Sequence, residues 1–408
     1  MTVLERVRPT EPALQRATFR QWLSVAAVTL GVFTVMTAEM LPVGLLGPIG
    51  AELGVSAGTA GLMITVPGLV AAVAAPVSTV LTGRVDRRLV LIALAALVAA
   101  ANFGAAATTG FGLMLTARVL VGLSIGAFWS IAGGIALRLV PEASVPRATA
   151  AVYGGIGAAT VLGIPAGTLV GDRFGWRAAL VALGALSLAV LAAIALLVPR
   201  LPSAGAVRFA SLARMARRNA GVRTGLALTF LIVSGHFVAY TYISPILGAN
   251  GIAGGAVGGL LMAFGVAALA ATVASGSLIG SRLRPTIVAV AVAMALAMVL
   301  MSFAAVGVFA AAAVLVLWGL GYGMVSPAVQ TWYLRAAPGE AEAATSLNTM
   351  MFNLSIAVGS FGGGLVVDAS AAPDVLWIGA LLLAPVALLV RRGWASRPAG
   401  GRMGLRAD

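Results

Sequence analysis

PRLPSAGAVRFASLARMARRNAGVR, residues 199–223, carries six arginines and no acid near the middle of a 408-residue chain. Both flanks are almost uniformly apolar: 61% of the chain is hydrophobic and 9% charged, whereas a soluble domain is about a quarter charged. Before the basic stretch, apolar runs occupy residues 22–46, 57–82, 88–108, 111–137, 148–170 and 177–198. After it they occupy 224–248, 255–280, 285–308, 309–334, 342–367 and 374–391. Runs of this size cross a hydrocarbon core about 30 Å thick as single helices. The expected fold is therefore an all-α membrane protein of twelve transmembrane helices. It divides into an N-terminal six-helix bundle with its tail (1–198), a basic linker (199–223) and a C-terminal six-helix bundle with its tail (224–408).

Positive charge fixes orientation, because cytoplasmic loops are enriched in basic residues. When alternate loops are assigned to one side, 23 of the 26 arginines fall with the two termini and the linker, and only Arg173 and Arg177 fall opposite. Both termini and the linker are thus expected in the cytoplasm, in a multi-pass protein of a bacterial inner membrane. Residues 1–19 have no apolar core before a small-residue cleavage site, so the first helix itself is expected to direct insertion. The net charge of +14 reads as membrane orientation rather than as a nucleic-acid footprint.

Composition also removes several chemistries. No cysteine and a single histidine leave thiolate and multi-histidine metal sites without ligands. The absence of lysine denies the glycine-rich run at 359–364 a phosphate-binding loop. No cofactor, no metal and no enzymatic activity are expected.

Four stretches resemble the major facilitator superfamily, in particular its bacterial drug/proton antiporter branch with sugar and purine ribonucleoside efflux proteins. They are FTVMTAEMLPVGLLGPI at 33–49, ARVLVGLSIGAFWS at 117–130, VLGIPAGTLVGDRFGWR at 161–177 and GHFVAYTYISPIL at 235–247. The resemblance implies two pseudo-symmetric bundles around a central cavity. It carries over a basic pair, Arg87 and Arg88, between helices 2 and 3, but not an acidic partner, although Asp86 stands beside them. It also assigns Arg118 and Gly122 to a helix-4 motif tied to proton transfer. Gly163, Pro165 and Gly167 match an antiporter signature in helix 5, where small residues let helices approach and proline permits a bend.

Among the acids, only Glu39 lies well inside an expected helix, about 25 Å from its cytoplasmic end by rise per residue. An ionised carboxylate in hydrocarbon is costly, so Glu39 is expected to face a cavity and exchange a proton as its solvation changes. Arg118, on the antiparallel helix 4, reaches a similar depth, and the two are expected to pair in one conformation and separate in another. A fixed structural pin is the alternative for Arg118. Matching Pro42 with Pro245 sets Tyr242 opposite Glu39. His236, Tyr240, Tyr242, Gln330 and Asn353 are then candidate cavity residues; for His236, substrate contact, packing and proton transfer stay open. Trp129, Tyr153, Trp318 and Tyr322 could stack on a planar ligand or simply pack. The expected activity is proton-coupled efflux of a drug, nucleoside or sugar by alternating access, by a protein working as a monomer with substrate, protons and lipid as partners. Proton-independent facilitation or import is the competing reading.

Overall fold

The computed structural model describes residues 17–81, 85–202, 209–252, 254–303, 307–338 and 340–395. Arg6, Arg8, Arg16, Arg84, Arg208 and the last three arginines of the tail lie outside the described residues. Among the described residues there are helices and no strands.

Among the described residues, twelve helices are long and apolar enough to span a membrane. In the first half they are α1 (Phe19–Glu52), α2 (Ala57–Ser78), α3 (Arg87–Ala106), α4 (Phe111–Trp129), α5 (Glu142–Phe174) and α6 (Trp176–Leu197). In the second they are α7 (Ala220–Tyr240), α8 (Gly255–Gly276), α9 (Arg282–Ser302), α10 (Val308–Ala336), α11 (Ala343–Ala369) and α12 (Asp374–Arg392). A further helix, Phe209–Arg218, lies in the linker.

Local chemistry sets several boundaries. Thr18 and Gln21 form a reciprocal capping box at the start of α1, Asp86 caps α3 and Asn219 caps α7, each satisfying amides that the first turn leaves open. Gly175, at φ 85°, makes the tight reversal between α5 and α6. Three boundaries differ from the sequence expectation. Helix α1 runs on to Glu52 through Pro42 and Pro48, because neighbouring helices can serve the carbonyls that prolines free. Helix α7 stops at Tyr240 and a separate turn, Ile243–Ala249, follows. The helix through α8 and α9 is interrupted only by non-helical dihedrals at Arg282.

The two bundles repeat one contact pattern. Helix α1 packs on α5 and α6, as α7 packs on α11 and α12. Helix α2 packs on α4, as α8 packs on α10. Between the bundles, α2 meets α11 and α5 meets α8. Small residues make the second contact possible: a Cβ on Gly265 of α8 would sit 2.6 Å from the Thr160 carbonyl oxygen of α5.

Candidate transport site

Arg118 is 2% exposed and donates three hydrogen bonds to main-chain carbonyls. Its Nε reaches Met63 O at 2.9 Å, Nη1 reaches Ala38 O at 2.8 Å and Nη2 reaches Glu39 O at 2.9 Å. Two of these carbonyls lack the usual helical donor. Pro42 follows Ala38 by four residues, Pro67 follows Met63 by four, and proline has no N–H to give. One guanidinium on α4 therefore serves the proline breaks of both α1 and α2, which its fixed fork of five donors suits it to do. Gly122, one turn along, brings α4 close: a Cβ there would lie 2.7 Å from the Pro67 carbonyl oxygen. The second bundle has an uncharged counterpart, in which Thr272 Oγ1 of α8 donates at 2.7 Å to Gly323 O, the carbonyl freed by Pro327 on α10.

Glu39 is 4% exposed. Arg118 bonds its main-chain oxygen rather than its carboxylate, and the two side chains form no ion pair in this conformation. The carboxylate still lies within Coulombic reach of Arg118 and of the Tyr322 hydroxyl on α10. Glu39 thus stands where the first bundle faces the second.

Across that interface, His236 and Tyr240 of α7, Phe264 of α8 and Trp318 and Tyr322 of α10 form an aromatic cluster. Tyr322 stacks on His236 with ring centres 3.8 Å apart and planes 16° from parallel. Tyr240 stacks on the same imidazole at 4.7 Å and 21°, and Phe264 lies 4.6 Å from Tyr240. Trp318 Nε1 donates to His236 Nδ1 at 3.0 Å. His236, Tyr240, Phe264 and Trp318 are buried, whereas Tyr322 keeps partial exposure. Phe264 was not singled out from the sequence, because a lone aromatic on an apolar helix gives no local signal.

The remaining candidates have other surroundings. Tyr242 lies in a seal at the end bearing the α1–α2 turn. Its hydroxyl donates to Ser360 O at 2.8 Å and lies 3.4 Å from Gly58 O. In the same seal, Asp368 of α11 reaches across to the first turn of α2, accepting from Ser56 Oγ at 2.7 Å and from the Gly58 amide at 2.8 Å. Gln330 and Asn348 belong to a polar network with Thr345 and Thr229. Asn353 is buried and donates to Thr349 O on its own helix. Trp129 and Tyr153 pair at 6.0 Å, apart from the α7–α10 cluster.

Arg87 and Arg88 take part in a latch whose centre is Asp86. The Asp86 Oδ1 accepts from the amides of Arg88 and Leu201, both at 2.9 Å, and the Arg87 amide donates to Leu201 O at 2.9 Å. Arg88 also donates to Ala195 O and Arg138 to Pro202 O. The bond from Leu201, then that from Arg88, holds the Asp86 carboxyl below its usual range. The start of the linker is thereby tied to the α2–α3 turn.

The VLGIPAG run contains a π-helical turn at Ala159–Gly163, a distortion that frees local backbone groups and often marks a functional bend. Beyond it, side chains at Gly163 and Gly167 would collide with Thr37 and Leu41 of α1. Helix α5 therefore carries its π-helical turn between two close seams, one with α1 and one with α8.

The chain is 29% identical over 372 residues to the purine ribonucleoside efflux pump NepI of Escherichia coli O1:K1 / APEC, covering 90% of this chain and 93% of that protein. It is 30% identical over the same length to the pump of that name from Escherichia coli O127:H6. Among solved structures, the human organic anion transporter MFSD10 (TETRAN) superposes with a TM-score of 0.68 at 16% identity, covering 91% of this chain and 99% of that one. A bacterial homolog of the human lysosomal transporter Spinster, in an inward-facing and unoccupied conformation, also gives 0.68, at 13% identity over 93% of this chain and 96% of that one. These two likenesses speak for the fold alone. The family model of the Major Facilitator Superfamily matches residues 28–398, and the chain belongs to that superfamily of membrane transporters.

Proposed function

We propose that this transporter exports a small organic molecule of the nucleoside class in exchange for protons, by alternating access. The observation that carries the coupling is Glu39: a buried carboxylate at the junction of the bundles, near Tyr322 of the opposite bundle, with the nearby guanidinium engaged on backbone carbonyls. An ionised carboxylate there depends on solvation, so opening the interface to one side and then the other changes its hold on a proton. Arg118 contributes by fixing the proline breaks that aim Glu39. The nucleoside class is supported by the purine ribonucleoside pumps to which the chain is similar and by the aromatic cluster on α7, α8 and α10, with Gln330 and Asn353 as further cavity candidates.

The bundles are read as residues 1–198 and 224–408, joined by the linker at 199–223, with both termini and the linker on the cytoplasmic side of the inner membrane. The Ser56–Gly58–Asp368 and Tyr242 contacts then close the outer end, which makes this an inward-facing state. A monomer suffices, since each proposed role falls within one chain.

The test is flux of adenosine in proteoliposomes with and without an imposed pH gradient. Wild type is expected to accumulate adenosine against its gradient only when protons can flow the opposite way. Glu39→Gln should retain adenosine counterflow and lose the response to the pH gradient. Gradient-independent flux in wild type would replace antiport with facilitated diffusion, and a Glu39→Gln protein that still couples would remove Glu39 from the proton path.

A further inference from the structure

His236 is 0% exposed and its Nε2 has no hydrogen-bond partner among the described residues. Trp318 determines what that atom is. An indole N–H can only donate, so His236 Nδ1, which receives it at 3.0 Å, must present a lone pair. The neutral imidazole therefore carries its hydrogen on Nε2. While Trp318 stays in place, Nδ1 has no room for a proton, and the ring is held as a fixed donor rather than as a proton carrier. A buried donor without an acceptor is unfavourable, and such groups often mark the position of a missing ligand.

The surroundings of this donor are aromatic faces. His236 stacks on Tyr322 at 3.8 Å and on Tyr240 at 4.7 Å, and Phe264 lies beside all three, 4.6 Å from Tyr240, 6.0 Å from Tyr322 and 6.1 Å from the imidazole. Tyr322 alone keeps exposure, and its hydroxyl is within Coulombic reach of Glu39 of the other bundle. It is the ring that can leave the stack with the least disturbance of buried contacts. Flat faces favour a flat ligand, and one fixed N–H favours a ligand with an acceptor in its ring plane.

We propose that His236 Nε2 and the faces of Tyr240 and Tyr322 form the subsite for the planar heteroaromatic part of the substrate, resting on the nucleoside-transport reading given above. Tyr322 shifts along the imidazole to open its Nε2 edge, the base enters there in the plane of the imidazole and stacks on the Tyr240 and Tyr322 faces, and a ring nitrogen or carbonyl of the base accepts the Nε2 hydrogen. Because Tyr322 also lies within Coulombic reach of Glu39, its displacement gives the loaded subsite a route to the proton site.

Equilibrium binding of labelled adenosine to the purified full-length chain in detergent, with no pH gradient, tests this separately from coupling. His236→Phe retains an aromatic ring and removes the donor; it is expected to weaken adenosine binding about tenfold. At least one of 1-deaza-, 3-deaza- and 7-deazaadenosine, each lacking one ring acceptor, should bind wild type about tenfold more weakly than adenosine and His236→Phe no more weakly. Ribose should show no binding in the same range. If His236→Phe does not elute as a folded monodisperse species, the deaza series on wild type and on Trp318→Phe decides. A wild type that binds adenosine but treats all three analogues like adenosine overturns the subsite and leaves the transport reading standing. A wild type that binds ribose and no nucleoside overturns both.

Discussion

Replacing Arg118 by Met preserves side-chain length and removes the three bonds to Met63, Ala38 and Glu39. Interhelical hydrogen bonds in membrane proteins average about 0.6 kcal/mol each, which sets a lower limit near 2 kcal/mol for three. The Ala38 and Met63 carbonyls, whose helical donors are missing because of Pro42 and Pro67, would also be stranded, at about 1–3 kcal/mol apiece. The expected loss of stability is about 4–8 kcal/mol. In a Pro42→Ala/Pro67→Ala background, the new amides can close the helical bonds to residues 38 and 63. There Arg118→Met should cost less than about 2 kcal/mol, a coupling of at least about 2 kcal/mol across the cycle. Both backgrounds should carry Glu39→Gln in a parallel set, so that an unpaired carboxylate does not inflate the cost. The measurement is reversible unfolding in mixed micelles as the mole fraction of dodecyl sulfate rises. Equal costs of Arg118→Met in the two backgrounds, within about 0.5 kcal/mol, would refute the assignment of this arginine to the proline breaks.

At the α2–α11 seal, Asp368→Ala removes a cap of α2 worth about 1 kcal/mol, an approximately fivefold shift towards opening of that end. Because the chain has no cysteine, a single Ser360→Cys reports the shift as faster labelling by a membrane-impermeant maleimide; an unchanged rate would contradict the latch. Gly265→Ala drives a methyl towards the Thr160 carbonyl and Val161 backbone, whereas Gly157→Ala meets only the flexible end of Leu269. Transport should fall about tenfold in the first and less than about twofold in the second, and similar rates would remove the α5–α8 seam from the cycle. Asp86→Ala should lower stability by about 1 kcal/mol at pH 7. Since the folded protein holds the Asp86 carboxyl below its ordinary range, this contribution is full above about pH 4 and is lost as pH falls through the folded value. The melting-temperature gap between wild type and Asp86→Ala should therefore be flat from about pH 5 to 8 and shrink in acid; a gap that widens in acid would reverse the sign.

Twelve spans and the pairing of two halves were legible in the residues because lipid imposes a one-dimensional rule: a helix that crosses must be apolar for its whole length. Glu39, Arg118 and the VLGIPAG run stood out for the same reason, as charges or small residues where the rule forbids or favours them. Their partners were not legible. Nothing local links Arg118 to prolines 76 and 51 positions earlier, and only the α1–α2–α4 packing sets its three donors against carbonyls that Pro42 and Pro67 leave free. Asp86 looked like the neighbour of a basic pair and proved to be an anchor for Leu201. Tyr242 shares a helical repeat with Glu39, yet the break after Tyr240 turns its hydroxyl into the seal against α2 and α11. The tautomer of His236 depends on an indole 82 residues away. Sequence by itself determined the spans and the few residues too polar for lipid. Tertiary structure decided which backbone and side-chain groups those residues serve, because hydrogen-bond direction depends on distances between helices that no single helix contains.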